Sequence, residues 1–136
     1  MRLLVIVLTL TVVGCATRPV SVYEASPVSQ SRVLAQQWLT STRNTGSLII
    51  KRDSGFMGAA CTIRVFIDGM PAADLAPSEK VEFFLPLGEH ILGASPNGIC
   101  GGGTSEASVV IASERQKIFR IGSGQSSDIQ LQPSAF

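Results

Sequence analysis

Histidine is almost absent from this sequence, since His90 is the only one among 136 residues. A serine nucleophile needs a basic partner, so any serine triad in this chain would have to use His90. Its acidic neighbour, Glu89, points to the other face of a strand. No serine lies in a Gly-x-Ser-x-Gly context, and the nearest candidate, Ser123, lacks the leading glycine. We therefore expect a structural or exposed histidine, no catalytic residues and no enzyme, with a small hydrolase that uses His90 as the alternative.

An excess of charge of one sign is also lacking. Eleven Lys and Arg residues stand against ten Asp and Glu residues, which leaves a formal net charge of +1. Nucleic-acid-binding domains carry basic patches, so we expect no nucleic-acid partner. The acidic residues are scattered, without the spacing of paired catalytic carboxylates or of a calcium loop. We therefore expect neither a metal nor a cofactor.

Only one long hydrophobic run is present, and it lies at the N-terminus. Residues 3–13 form a mostly apolar run that follows the basic Arg2. A helix that spans a bilayer needs about 20 such residues, whereas a run of this length is typical of the apolar part of a signal peptide.

The end of this run resembles the lipobox of bacterial lipoproteins. The successive residues Val12, Val13, Gly14 and Cys15 carry the resemblance. The resemblance implies that a signal peptide over 1–14 is removed, that Cys15 takes a diacylglycerol and that the new amine of Cys15 is acylated. Together these modifications supply several acyl chains, which anchor a protein stably. Because Ala16 follows and not Asp, it also implies sorting to the outer membrane with the domain in the periplasm. An ordinary cleaved signal peptide with an incidental cysteine is the alternative.

Cysteine is scarce as well, with three residues in the chain. If Cys15 carries lipid, Cys61 and Cys100 remain, and two cysteines in an oxidising envelope compartment favour a disulfide. Two separately buried thiols are the alternative. An iron–sulfur cluster would need about four clustered ligands, which this chain cannot supply.

Strand patterns dominate the chain from residue 46 onward. In 61–68, for example, Ile63, Val65 and Ile67 share one face while Arg64 and Phe66 share the other. Seven strands are predicted, and a short edge strand over 71–75 would make eight; the seven cover 47–52, 61–68, 80–85, 88–94, 108–112, 117–121 and 128–132. Turn signals about every ten residues predict a mainly β fold, a small antiparallel β-sandwich or barrel over 46–136.

The segment before the sandwich has a different composition. Residues 15–45 are predicted to be a lipidated tether, because their first part is rich in proline and small polar residues. A loose apolar face between residues 29 and 40 predicts one short helix within this tether.

Residues 65–94 resemble the PEGA-type modules and related small β-sandwich modules of bacterial envelope proteins. The resemblance rests on the Asp68-Gly69 turn and on the run from Leu87 through Gly88 and His90 to Ala94. It implies a small β-sandwich with an accessory or structural role in the envelope, and it offers no catalytic residues to carry over. The two cysteines and the glycine-rich loop are departures from the pattern.

Two loops, 53–60 and 95–105, are the candidate binding sites. Phe56 and Met57 lie between glycines and form a candidate partner contact, because loops on a rigid scaffold often bind and exposed apolar tips mark contacts. The alternative is that both side chains fold back onto the disulfide. The second loop contains Gly-Ile-Cys-Gly-Gly-Gly-Thr-Ser, but Thr104 stands where a phosphate-binding loop requires lysine. We therefore expect no nucleotide.

Together these features favour a lipid-anchored bacterial cell-envelope lipoprotein with a non-catalytic accessory or binding domain. We expect the membrane as one partner, through the lipid, and an envelope protein or glycan as the other. The alternatives are a structural or stress-related lipoprotein without a specific ligand, and a small envelope hydrolase.

Overall fold

The computed structural model describes residues 17–55, 59–124, 126 and 128–136. Within these residues nine strands form two packed sheets, so the protein is a small, mainly β-sandwich. The strands are β1 Ser26–Pro27, β2 Thr45–Arg52, β3 Ile63–Ile67, β4 Met70–Leu75, β5 Glu79–Pro86, β6 Gly88–Pro96, β7 Ser105–Ile111, β8 Lys117–Ser123 and β9 Ile129–Pro133. All eight predicted strands are present, with ends that shift by a few residues.

The two sheets divide the strands unequally. One has the order β1-β5-β2-β8-β9 and the other the order β4-β3-β6-β7. Most neighbours are antiparallel, as predicted, but β2 and β8 run parallel, as do β1 and β5. A parallel pair needs a long crossover connection, and here the chain between β2 and β8 passes through the whole four-stranded sheet.

The core lies between the sheets and follows the predicted alternation. Ile63, Val65 and Ile67 are at most 6% exposed, whereas Arg64 and Phe66 on the other face of β3 are half-buried. Both sheets contribute large buried apolar side chains, which include Leu48, Ile50, Phe83, Leu85, Leu92 and Ile121. Hydrophobic burial on the inner faces is therefore what holds the two sheets together.

The predicted short helix takes a different form. The structure has two separate 3-10 turns, Gln30–Arg32 and Gln36–Trp38. Between them, the backbone N–H groups of Leu34 and Ala35 donate to the carbonyl oxygen of Ala72 in β4, at 2.8 and 3.0 Å. Because these donors are used by β4, they cannot continue a helix.

The predicted tether also differs from the structure in its described part, residues 17–45. Val33 and Ala35 belong to the core cluster, and Val20 and Ala25 are buried. The segment is therefore part of the domain and not a free linker, because it covers apolar and charged side chains of the sandwich that would otherwise face water. Cys15 lies outside the described residues.

Lys51 shows how the first part of this segment is fixed. Its side chain is fully buried on the outer face of β2. Its ammonium group donates to the carbonyl oxygen of Val20, and its Nζ lies 5.4 Å from the centre of the Phe136 ring. Burial lowers the pKa of Lys51, because the charged form loses hydration. The residues near Val20 are thereby held across the outer face of the five-stranded sheet.

Candidate functional site

The two loops that the sequence singles out meet at one end of the sandwich. A disulfide joins Cys61, just before β3, to Cys100, between β6 and β7, with the two Cα atoms 6.1 Å apart. The predicted disulfide is confirmed, and the alternative of two separate thiols is wrong. We call this end of the molecule the disulfide end; it consists of the β2–β3, β4–β5, β6–β7 and β8–β9 connections.

The sequence predicts Phe56 and Met57 as a partner contact. Both lie outside the described residues, so this role stays a prediction. Ile99, in the second loop, is 99% exposed. Sequence reasoning missed it, although the preceding glycine, Gly98, is a residue typical of turns; in the structure Gly98 has a φ of 73°.

A cavity of about 200 Å³ lies beneath these loops at the disulfide end. The disulfide, Ile63, Pro96, Ile121 and Ile129 form its apolar side. Thr17, Arg52, Asp53, Thr62 and Ser123 form its polar side. A mostly apolar cavity with a few polar groups is the usual form of a small-ligand site.

Asp53 is the most unusual group in this cavity wall. Its side chain is completely buried, and its Oδ2 accepts hydrogen bonds from Nη2 and Nε of Arg120 at 2.6 and 3.2 Å. None of the described residues donates a hydrogen bond to its other oxygen, Oδ1. A Cβ atom at Gly122 would lie 2.5 Å from Oδ2, so only glycine leaves room for this carboxylate. A buried acceptor without a donor is costly, so Oδ1 of Asp53 is an unsatisfied polar atom at this end of the sandwich.

Arg52 lies on the opposite face of β2 and links β2 to two other segments at the disulfide end. Its Nη1 donates to the carbonyl oxygens of Cys61 and Leu75, at 2.7 and 2.9 Å. Burial lowers the pKa of Arg52, but a guanidinium stays charged in proteins. The carboxylate of Asp53 therefore shares one face of the sheet with the cations Arg120 and Lys51, whereas Arg52 lies on the other face.

His90 lies at the opposite end of the sandwich, because β6 runs from Gly88 beside it to Pro96 at the cavity. Its Nδ1 is 2.6 Å from Oδ2 of Asp68, and its Nε2 is 2.7 Å from the carbonyl oxygen of Pro86. Both ring nitrogens therefore face acceptors, and a hydrolase that used His90 as its base would first have to break one of these contacts.

Asp68 completes this arrangement, and the sequence indicated it only as a turn residue. Burial alone would raise the pKa of its carboxyl group, but the backbone N–H of Ile91 and the ring of His90 outweigh that effect and hold the pKa below its usual range. The pair therefore braces the β3–β4 turn against β6, which is a structural role for His90.

Among residues 17–55, 59–124, 126 and 128–136, no three His, Cys, Asp or Glu side chains come together as a metal site would require. The helical turns in the described part of the chain all fall short of the length and apolarity that a membrane-spanning helix needs.

Comparisons with known proteins add no relative. No protein-family model, no curated protein and no solved structure matches this chain. The resemblance of residues 65–94 to PEGA-type modules therefore stays a prediction from the sequence.

Proposed function

We propose that the chain is a lipid-anchored protein of the bacterial cell envelope whose β-sandwich is a non-catalytic binding domain that faces the periplasm. The observation that supports binding is the cavity at the disulfide end, where Oδ1 of the buried Asp53 has no donor among the described residues. The partner is an envelope protein or glycan that brings a hydrogen-bond donor to this cavity.

The charges around the cavity favour a neutral donor over a cationic one. Asp53 is already paired with Arg120, whose guanidinium group would repel a ligand ammonium group. A hydroxyl or amide N–H satisfies Oδ1 without that cost.

A photo-crosslinking experiment in intact cells tests the binding role. A photoreactive residue at Gly101, which lines the cavity and has open space around its Cβ position, should capture an identifiable envelope component. The same residue at Val110, which is 60% exposed on β7, is the matched control. Asp53→Asn in the Gly101 variant should reduce the capture. If position 101 yields the same products as position 110, the chain has no specific ligand there and the structural alternative stands.

The lipid anchor is proposed from the lipobox resemblance at Cys15, with outer-membrane sorting because Ala16 follows it. Cells grown with a clickable fatty acid should label the wild-type chain and leave Cys15→Ser unlabelled. In fractionation, the wild type should follow the outer membrane. Equal labelling of both chains would refute the anchor.

A further inference from the structure

The chain is fixed to the disulfide end immediately after the proposed lipid attachment. The backbone N–H of Thr17 donates to the carbonyl oxygen of Ser123 at 3.1 Å, and the N–H of Ser123 donates to Oγ1 of Thr17 at 2.8 Å. Arg18 and Ser54 then exchange two backbone hydrogen bonds, at 2.7 and 3.0 Å. These hydrogen bonds therefore hold the described chain against the sandwich from Thr17 onward.

Covalent geometry limits how far the lipid can be from this end. Only Ala16 separates Cys15 from Thr17, and two peptide units span at most about 7 Å. Acyl chains on Cys15 would therefore hold the disulfide end next to the bilayer, whereas a 30-residue tether would have allowed any orientation.

Exposed charge is less frequent at the disulfide end than at the opposite end. Residues 54–62, 76–78 and 97–104 contain no Asp, Glu, Lys or Arg, although the β8–β9 connection carries the exposed Asp128 and the buried Asp53 follows β2. The connections at the opposite end, by contrast, carry Arg43, Asp68, Glu114 and Arg115. Burying a charge away from water is expensive, so the disulfide end is the end that can approach lipid at low cost.

The exposed side chains at the disulfide end also suit contact with a membrane surface. Ile99 is 99% exposed and is the most exposed of the large apolar side chains among the described residues. The exposed charged residues nearby are Arg18, beside the attachment, and Asp128, in the β8–β9 connection. An exposed apolar side chain can be buried at the boundary of head groups and acyl chains, and binding strength grows with the apolar area buried there.

We propose that the disulfide end lies on the bilayer surface, with Ile99 inserted at the level of the lipid head groups. This inference rests on the proposed lipidation of Cys15. It also means that anything that enters the cavity at this end does so at the membrane surface.

Tryptophan fluorescence in vesicles tests this orientation. The full lipidated chain is reconstituted in phosphatidylcholine vesicles with and without brominated acyl chains, which quench tryptophan at the bilayer. Ile99→Trp should show a blue shift and a loss of emission with brominated lipid. Ile91→Trp is the matched control, because Ile91 is also an exposed isoleucine, at 44%, but lies on the face of the four-stranded sheet. The native Trp38 adds the same background to both.

Vesicle flotation separates the two proposals. Failure of the chain to float with vesicles overturns both the anchor and the orientation. Flotation with an unquenched tryptophan at position 99, or with equal quenching at positions 99 and 91, overturns only the orientation. If Ile99→Trp lowers thermal stability, Gly103→Trp replaces it, since a Cβ at Gly103 meets no atom within 4 Å.

Discussion

Gly46 of β2 packs against the end of β7, at the end of the sandwich opposite the disulfide. A Cβ atom on this residue would lie 2.4 Å from the carbonyl oxygen of Ala112 and 2.7 Å from Cγ2 of Ile111. Real Cβ atoms do not make contacts this short, so the glycine allows β2 to approach the end of β7. Glycine is required at position 46 because the neighbouring strand lies so close, and not because of the turn preferences of glycine.

Replacement of Gly46 should therefore be costly. Gly46→Ala is expected to lower the free energy of unfolding by about 2 kcal/mol, because backbone and not only a flexible side chain must move. Urea unfolding of the full chain measures the change. Gly103→Ala is the control, with no atom within 4 Å of its Cβ position, and its effect should stay within about 0.5 kcal/mol. Equal effects of the two substitutions would contradict the close-approach explanation.

Asp53 illustrates a second kind of residue, whose environment depends on strand pairing. The sequence treats it as the first residue of a loop. In the structure, the parallel β2–β8 register places Lys51 opposite Arg120, and the guanidinium of Arg120 then reaches Asp53. The candidate site exists only because these two strands are neighbours.

At the scale of elements, the β3–β4 turn is braced from outside. Asp68 and Gly69 both have positive φ values, 49° and 79°, as a tight hairpin turn requires. The carboxylate of Asp68 accepts hydrogen bonds from the N–H of Ile91 at 2.9 Å and, when Nδ1 carries a proton, from His90. This turn is therefore joined to β6 through a titratable group.

The lowered pKa of Asp68 predicts how acid weakens this brace. The unfolded chain, with a pKa near the ordinary 3.8, binds the proton more readily than the folded one. The stabilisation is therefore fully present above that pH and is lost as the pH falls through the lower folded-state pKa. Its size is small, because the Asp68 side chain is 45% exposed and partly screened by water.

Unfolding experiments between pH 2 and 7 check this expectation. The wild type should lose more stability on acidification than Asp68→Asn, which keeps an acceptor for Ile91 but does not titrate. Glu89→Gln, at an exposed neighbouring position on β6, is the control and should follow the wild type. Parallel pH profiles for the wild type and Asp68→Asn would show that the brace does not depend on the charge.

At the scale of the whole molecule, the disulfide and the first described residues act on the same end. The disulfide closes a loop with a sequence separation of 39, and Thr17 is joined to Ser123 across a separation of 106. Both contacts restrict the chain far more than local turns do. They give the cavity and the exposed Ile99 a fixed position relative to Thr17.

Loss of the disulfide should have a large effect on the whole domain. Cys61→Ser with Cys100→Ser is expected to lower the free energy of unfolding by about 4 kcal/mol, because the unfolded chain regains the entropy of an open loop. Thermal and urea unfolding measure this loss, and the reduced wild type should match the double variant. A loss below about 1 kcal/mol would mean that contacts such as Arg52 to Cys61 already hold the loop and that the entropy model overstates the effect.

The sequence by itself determined the local and periodic features of this protein. Side-chain alternation in segments such as 61–68, together with turn signals about every ten residues, predicted seven strands and a short edge strand as an eighth, because a strand with one buried face repeats every two residues. Counting the cysteines indicated the bridge between Cys61 and Cys100. Both inferences need only neighbouring residues or a count, so no knowledge of the packing was required.

Only the tertiary structure decided which distant segments meet. Three features join residues that are far apart in the chain: the parallel β2–β8 pair, the packing of residues 17–45 on the sandwich and the burial of Asp53 beside Arg120. The Asp53–Arg120 contact, for example, spans a sequence separation of 67. Such contacts form when the free energy gained by burying two apolar faces exceeds the free-energy cost of the lost chain entropy. No single stretch of sequence reveals this balance. For the same reason the expected tether became part of the domain: its apolar residues had a surface to cover.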